Sequence, residues 1–345
     1  MKIINFISGK DLGGPKQSFV LYSKSLSDMG EEVISVVRKG AAIEPILNEM
    51  NLPVQTVTYS RLTQYLFNKS AIKKIQNIMQ PLQADVIFVH KQSDLKMVRE
   101  AVGNKVRIIG VAHWFSIRHA EYADEFITVS ESVKQYLIQE QYKNPIHVVP
   151  NMVDIKTQPS YKAIPEVPLI GSMGVFRRRK NFHILIQSLG ILKERNITFR
   201  AVIAGEGRAK LELLYLRWKF KLSKELTIRG WVGNDEREKF LDDLDIFILS
   251  SKKETFGMVV IEAMARMKRV IATICGGPEF IITHGKDGYL IEKDDARILA
   301  DQIIEVIQTD KKTDQVPNNA LDSAINNYST EVVSKSLQKL IRSVQ

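Results

Sequence analysis

The pattern that most restricts this chain is a recurring alternation. Short runs rich in β-branched residues keep returning, with helix-compatible stretches between them. KIINFIS (Lys2 to Ser8), EVISVV (Glu32 to Val37), ADVIFVH from Ala84 and ADEFITVS from Ala123 begin the series. VPLIGSMGVF (Val167 to Phe176), FRAVIAG, LTIRGWV, LDIFILSS from Leu244 and RVIATI continue it. Apolar runs without polar alternation suit strands buried on both faces, and parallel pairing of such strands requires a crossover after each one. The fold class expected is therefore α/β, with doubly wound parallel sheets. ADVIFVH, ADEFITVS and LDIFILSS share a further detail, an aspartate immediately before the apolar run.

The stretches between the runs read as helices. After the first strand and GKDLGG, Pro15 suits a first helical turn, Phe19, Tyr22, Leu26 and Met29 recur at helical spacing, and Gly30 can close the end. Further helices are expected from about Phe182 to Arg195, around LELLYLRWKFKL, from about Asp235 to Leu241, and through the segment that contains Glu262. A chain of 345 residues is long for one core. The polar, proline-bearing DIKTQPSYKAIP, Asp154 to Pro165, reads as a linker between two halves. A last helix around EVVSKSLQKLIRSV carries Val333, Leu337, Leu340 and Ile341, which need a surface to cover.

Composition narrows the function. The net charge is +10, with +3 in the first 155 residues and +7 in the rest, a mild and distributed excess. It suits an anionic ligand or an anionic membrane surface, although most such side chains only solvate a protein. A sequence pI of 9.4 comes with no nucleic-acid-binding motif and no alternation of aromatic with basic residues, so no nucleic-acid partner is expected. The single cysteine, Cys275, forms no internal disulfide and fits no metal pattern, in keeping with a reducing compartment. No segment approaches the roughly 20 apolar residues of a membrane span, and the start MKIINFISG has too short an apolar run for a signal peptide. A cytoplasmic protein is expected, one that visits the inner face of a membrane as a peripheral protein if at all.

In an open parallel sheet, ligands gather beyond the carboxyl ends of the strands. LGGPKQ, GVFRRRKN, SKKETFG and CGGPEF have that address and are expected to face one cleft. Gly13-Gly14 before a helix lets backbone approach a diphosphate, or is only a turn. Arg177 to Lys180 either neutralise such a group or form a solvated face. Glu262 sits in an apolar helix, where an unpaired carboxylate would cost several kcal/mol. With Glu254 it makes two acceptors about 12 Å apart, at 1.5 Å per residue, for one extended ligand; the bland alternative is a loop acid plus a helix acid paired with a neighbour such as Arg266. His113, in VAHWFS, is either a packing histidine or a site residue. Asp243-Leu-Asp245 imitates a metal-binding DxD, but it precedes an expected strand and matches the echo at Asp85 and Asp124, so it is read as structural and no metal ion is expected.

E-x7-E in ETFGMVVIE, followed by RVIATICGGPEFI and GKDGYLI, resembles the signature of the retaining glycosyltransferases of the GT-B fold, family 4. MKIINFISGKDLGG, ADEFITVSESVKQYL, VVPNMVD, MGVFRRRKN, VIAGEG and RGWVG also fall in the family's order, so the resemblance covers most of the chain. It implies two Rossmann-like doubly wound domains facing a cleft. Residues 1–155 would be the acceptor-side domain, 156–166 the linker, 167–322 the nucleotide-sugar-binding domain, and 323–345 a terminal helix returning to the first domain. Glu262 would accept hydrogen bonds from the nucleotide ribose and Glu254 would hold hydroxyls of the donor sugar. Gly13 and Gly14 would lie at the donor phosphate, and Lys180 would meet the diphosphate's charge. The backbone of Phe256 and Gly257 would flank the sugar, Trp231 and Val232 would lie near the base, and His113 would stand beside the donor sugar. Glu254, His113 and Lys180 are the expected catalytic residues. One departure is Val175, where many members carry arginine; Arg178 or Arg179 is expected to supply that charge.

The resemblance implies a retaining, metal-independent transfer from a nucleoside-diphosphate sugar, with no cofactor, to a glycan, lipopolysaccharide or lipid-linked acceptor. The acceptor would meet loops such as HWFSIRH and SRLTQYLFNKS of the first half. A binding protein that has lost turnover and a GT-B nucleotide-sugar epimerase are the alternatives. A dinucleotide-dependent oxidoreductase is disfavoured because the first loop lacks G-x-G-x-x-G.

Overall fold

The computed structural model describes residues 1–10, 13–59, 68–155, 157, 159–309 and 313–342. Two compact units emerge, one formed by Met1–Asp154 with Thr330–Gln345, the other by Ile155–Ser329.

The first unit opens with β1 (Lys2–Ile7), α1 (Gly14–Asp28), β2 (Glu32–Arg38), α2 (Glu44–Glu49) and β3 (Val54–Val57). It continues through α3 (Asn68–Met79), β4 (Val86–Val89), α4 (Leu95–Val102), β5 (Arg107–Ala112), β6 (Glu125–Thr128), α5 (Glu131–Gln139) and β7 (Ile146–Val148). These strands form one parallel sheet in the order β3-β2-β1-β4-β5-β6-β7. The winding thus reverses between β1 and β4, which opens a crevice at their carboxyl ends.

The second unit repeats the plan with β8 (Leu169–Met173), α6 (Phe182–Glu194), β9 (Arg200–Ala204), α7 (Lys210–Lys219), β10 (Leu226–Arg229) and α8 (Asn234–Asp243). β11 (Ile246–Leu249), α9 (Met258–Ala265), β12 (Arg269–Thr273), β13 (Tyr289–Ile291), α10 (Ala296–Gln308) and α11 (Val316–Tyr328) follow. The sheet order is β10-β9-β8-β11-β12-β13, so this winding reverses between β8 and β11.

The aspartate echo has a physical cause. Lys2, Ile108 and Leu169 each donate a backbone N–H to a side-chain oxygen of Asp85, Asp124 and Asp245, at 2.7, 2.6 and 2.7 Å. Each aspartate returns its own N–H to the carbonyl of the same residue. A two-way clamp at the amino-terminal edge fixes the register of β4 on β1, β6 on β5 and β11 on β8. Asp245 therefore works at the end of its sheet away from the strand carboxyl ends.

Two boundaries differ from the sequence reading. The expected linker 156–166 belongs to the second unit: Ile164 is buried in its core, and Arg269 donates to the Lys162 carbonyl at 3.1 Å while pairing with buried Asp314. A buried guanidinium needs acceptors on several sides, and this segment supplies one. The boundary expected at 322/323 falls inside α11; the last helix, α12 (Thr330–Arg342), begins later. α12 buries Val333, Leu337, Leu340 and Ile341 in the core of the first unit, beside Tyr22, Leu26, Ile109 and Ile127. Arg107 donates to the Ile341 carbonyl at 3.1 Å, satisfying the end of the helix. Arg342, Gln338 and the amino terminus converge on buried Glu31.

Candidate active site

Each unit concentrates chemistry at the point where its winding reverses. In the second, the segment after β8 runs from Gly174 to a single 3-10 turn at Arg178–Lys180, and the segment after β11 runs from Ser250 to Gly257. Lys180 and Glu254 come from these two segments, and Lys180 Nζ donates to Glu254 Oε1 at 2.5 Å. Ser251 Oγ donates to the same oxygen at 2.7 Å. Two further bonds tie the segments together: Ser250 Oγ donates to the Lys180 carbonyl, and the Lys252 N–H to the Arg179 carbonyl. Both charged side chains are mostly buried, so water screens their attraction little.

The three arginines before Lys180 are not equivalent. Arg177 and Arg178 are exposed, and Arg178 turns toward Glu212 of α7 at 3.9 Å. Arg179 is partly buried and lies next to Lys180 in the 3-10 turn.

Phe256 is buried, edge-on to Tyr328 with centroids 5.8 Å apart. Behind it, a Cβ at Gly277 would stand 2.3 Å from the Phe256 carbonyl oxygen, so only glycine lets the loop after β12 pass this close. Gly257 has φ of 112°, a conformation open to glycine, and turns the chain into α9. The Cys275 carbonyl accepts from the Glu254 N–H; burial pushes the Cys275 thiol up to about 12, which leaves it a neutral packing group.

Glu262 lies in the second turn of α9, among Val260, Ile261, Ala263, Met264 and Ala265, all buried. Its partner is Arg237 of α8, which donates to Oε1 at 2.8 Å. Arg266, the neighbour named from spacing, instead grips Asp242 with two bonds of 2.7 and 2.6 Å. Both partners come from α8, Arg237 for Glu262 and Asp242 for Arg266. After β10, Trp231 is 39% exposed while Val232 is buried, so of the two side chains the indole is the one that meets solvent.

In the first unit the reversal between β1 and β4 gathers the Gly13-Gly14 turn, Lys16 in the first turn of α1, His90 after β4 and His113 after β5. No described atom lies within 4 Å of where a Cβ of Gly13 would be, so packing inside the unit does not demand this glycine. His90 Nδ1 and His113 Nε2 share a hydrogen bond of 2.9 Å, with their rings stacked at 5.1 Å. Phe19 and Tyr22 pack edge-on against His90. Burial pushes His113 down to about 3, with Lys16 adding to the effect, and burial, His113 and Lys16 push His90 down as well. Both imidazoles are therefore neutral at physiological pH.

His90, Ser251 and Arg237 were not singled out from sequence. A signal existed for His90, the last residue of ADVIFVH at a strand's carboxyl end. For Ser251 and Arg237 no spacing pointed to their partners. HWFSIRH is described, whereas SRLTQYLFNKS lies largely outside the described residues.

Against known proteins, the family model for glycosyl transferases group 1 matches residues 154–322 and that for glycosyltransferase family 4 matches residues 12–157. The chain belongs to the group 1 glycosyltransferases. This glycosyltransferase is 22% identical over 353 residues to the lipopolysaccharide core biosynthesis glycosyltransferase LpsE of Rhizobium meliloti, covering 99% of each chain. It is 24% identical over 230 residues to a poly(ribitol-phosphate) alpha-N-acetylglucosaminyltransferase of Staphylococcus aureus, covering 66% of this chain and 46% of that one. Among solved structures, Anabaena Alr3699/HepE in complex with UDP and glucose superposes with a TM-score of 0.86 at 19% identity, covering 100% of both chains. These likenesses place the two parallel sheets of this glycosyltransferase in the GT-B fold. Among the described residues, no helix is long and apolar enough to cross a membrane.

Proposed function

We propose that this glycosyltransferase transfers a sugar from a nucleoside-diphosphate sugar with retention of anomeric configuration and without a metal ion, to a glycan, lipopolysaccharide or lipid-linked acceptor at the cytoplasmic face of a membrane. The observation that carries the reading is the Lys180–Glu254 pair at the winding reversal of the second sheet, held by Ser251. A cation and an acceptor side by side suit a ligand that presents a diphosphate next to a hydroxylated ring. Lys180 would turn to the diphosphate as its charge develops, aided by Arg179 and by helix N-termini, which together do the work of a metal. Glu254, released from Lys180, would accept from sugar hydroxyls.

In the same reading Glu262, oriented by Arg237, accepts from the ribose, Trp231 and Val232 border the base, and the backbone of Phe256 and Gly257 lines the sugar. His113, neutral and fixed by His90, stands beside the sugar with Gly13 and Gly14 at the phosphate. The glycosidic bond to the diphosphate breaks as the acceptor oxygen attacks from the same face; the acceptor's proton passes to a donor phosphate oxygen, so no protein base is required. UDP and UDP-glucose, bound by HepE, suggest uridine as the first base to try.

The test is a thermal-shift and product screen with UDP-, GDP- and ADP-sugars, with and without chelator. We expect stabilisation by one nucleotide family, weakened in Glu262→Ala, and donor hydrolysis or transfer that survives chelator and keeps the anomeric configuration. A strict metal requirement, an inverted product or an epimerised donor would overturn it.

A further inference from the structure

Helix α7 is built inside out. It attaches to the core of the second unit through buried Leu213, with Leu216 and Phe220 packed against the same cluster. Its other side carries Leu211, Leu214, Tyr215 and Trp218, exposed by 80%, 37%, 55% and 70%. Their spacing of i, i+3, i+4 and i+7 puts all four on a single stripe that faces solvent. An exposed contiguous stripe of this size marks a contact surface, since scattered single apolar residues would not line up.

Charge along its edges identifies the occupant. Lys210 and Arg217 flank one edge and Lys219 the other, while Arg208, Lys221 and Lys224 lie in the adjoining turns. Of the two carboxylates in this stretch, Glu206 pairs with Lys210 at 2.8 Å, and Glu212 lies 3.9 Å from the Arg178 guanidinium and 3.1 Å from His183. A second copy of the chain is a poor occupant, because a two-fold contact would set these cations against one another. Anionic headgroups meet them instead, and Trp218 and Tyr215 have the amphipathic rings that favour the boundary between headgroup and acyl chain.

We propose that α7 is a membrane-docking surface that lies flat on a bilayer containing anionic phospholipid, with Leu211, Leu214, Tyr215 and Trp218 inserted and the flanking cations among the headgroups. The inference rests on the lipid-linked acceptor only for its purpose, since it brings the protein to where such an acceptor resides.

Flotation of the full chain with vesicles of phosphatidylcholine alone, or with added phosphatidylglycerol, tests it without donor or acceptor, so its failure leaves the donor reading standing. We expect binding to the anionic vesicles only, weakened by salt. The triple variant Arg217→Gln/Lys219→Gln/Lys221→Gln should lose about a hundredfold in partitioning, and Leu211→Ser/Trp218→Ser at least about tenfold. Both variants change surface positions and should keep the wild-type melting temperature and nucleotide binding. No vesicle binding, equal binding by wild type and variants, or concentration-dependent self-association removed by Leu211→Ser/Trp218→Ser would each overturn the proposal, the last by showing that a second copy covers the stripe.

Discussion

Lys180 and Glu254, 74 residues apart in the chain, are joined by a 2.5 Å hydrogen bond at the point where the second sheet reverses its winding. The pair occupies the crevice such a reversal creates, and each member presents what a nucleotide sugar would need. Replacing Lys180 by alanine should lower kcat about 10² to 10³-fold, the range found when a preorganised group facing developing charge is removed. Glu254→Gln keeps the shape and should act mainly on the sugar, raising KM and lowering kcat together. Steady-state kinetics with the donor identified by the screen decide this, and near-normal turnover by Lys180→Ala would count against the assignment.

Arg237 and Glu262 form a largely buried pair between α8 and α9. Arg237→Met removes the cation and leaves Glu262 with one fewer donor in an apolar helix. We expect a loss of about 2 to 3 kcal/mol in chemical denaturation, below the fully buried range because Arg237 keeps some contact with water. Nucleotide binding should fall in parallel, and rescue of stability without rescue of binding in Arg237→Met/Glu262→Met would separate orientation from recognition.

Neutral His90 and His113 make stability depend on pH. The unfolded histidine titrates near 6.5, whereas folded His113 sits at about 3 and His90 is also lowered. Between these values the unfolded chain binds more protons, so stability should fall as pH drops below 6.5 toward about 3. Thermal melts of wild type and His113→Gln at stepped pH should show a shallower slope for the variant. A wild-type melting temperature that rises on acidification would contradict the neutral pair.

Leu337 is fully buried in the core of the first unit. Leu337→Ala should destabilise by about 2 to 5 kcal/mol through lost burial and the cavity left behind. The loss should appear in the unfolding of the first unit, with nucleotide binding by the second little changed; hydrogen exchange resolved by segment reads both.

The doubly wound plan and most central strands were legible in the sequence, because a run buried on both faces, such as VIFV or RVIAT, is hard to disguise; the short outer strands β3, β7 and β13 and the strand β5 were not named, three or four residues being too few to show a pattern in the outer ones. The aspartate before such runs was visible too, although the neighbouring N–H it clamps belongs to another strand and cannot be seen locally. Glu254 and Lys180 were legible as types and by strand-end address. Their contact was not, because it depends on two loops converging from adjacent strands. Arg237 was illegible for the same reason: nothing in EREKF distinguishes the cation that points inward from those that face water. The end of α11 was missed because a polar helix that packs on α9 has little apolar periodicity to mark it.

The route of α12 also sets an order of assembly. The second unit is continuous in sequence and contains all of its own core residues, so it can fold once its last strand and helices have been made. The first unit lacks Val333, Leu337, Leu340 and Ile341 until α12, which follows the whole second unit in sequence, has been made. Although its strands are made before those of the second unit, it is completed after them, and in between part of its apolar surface stays open to chaperones.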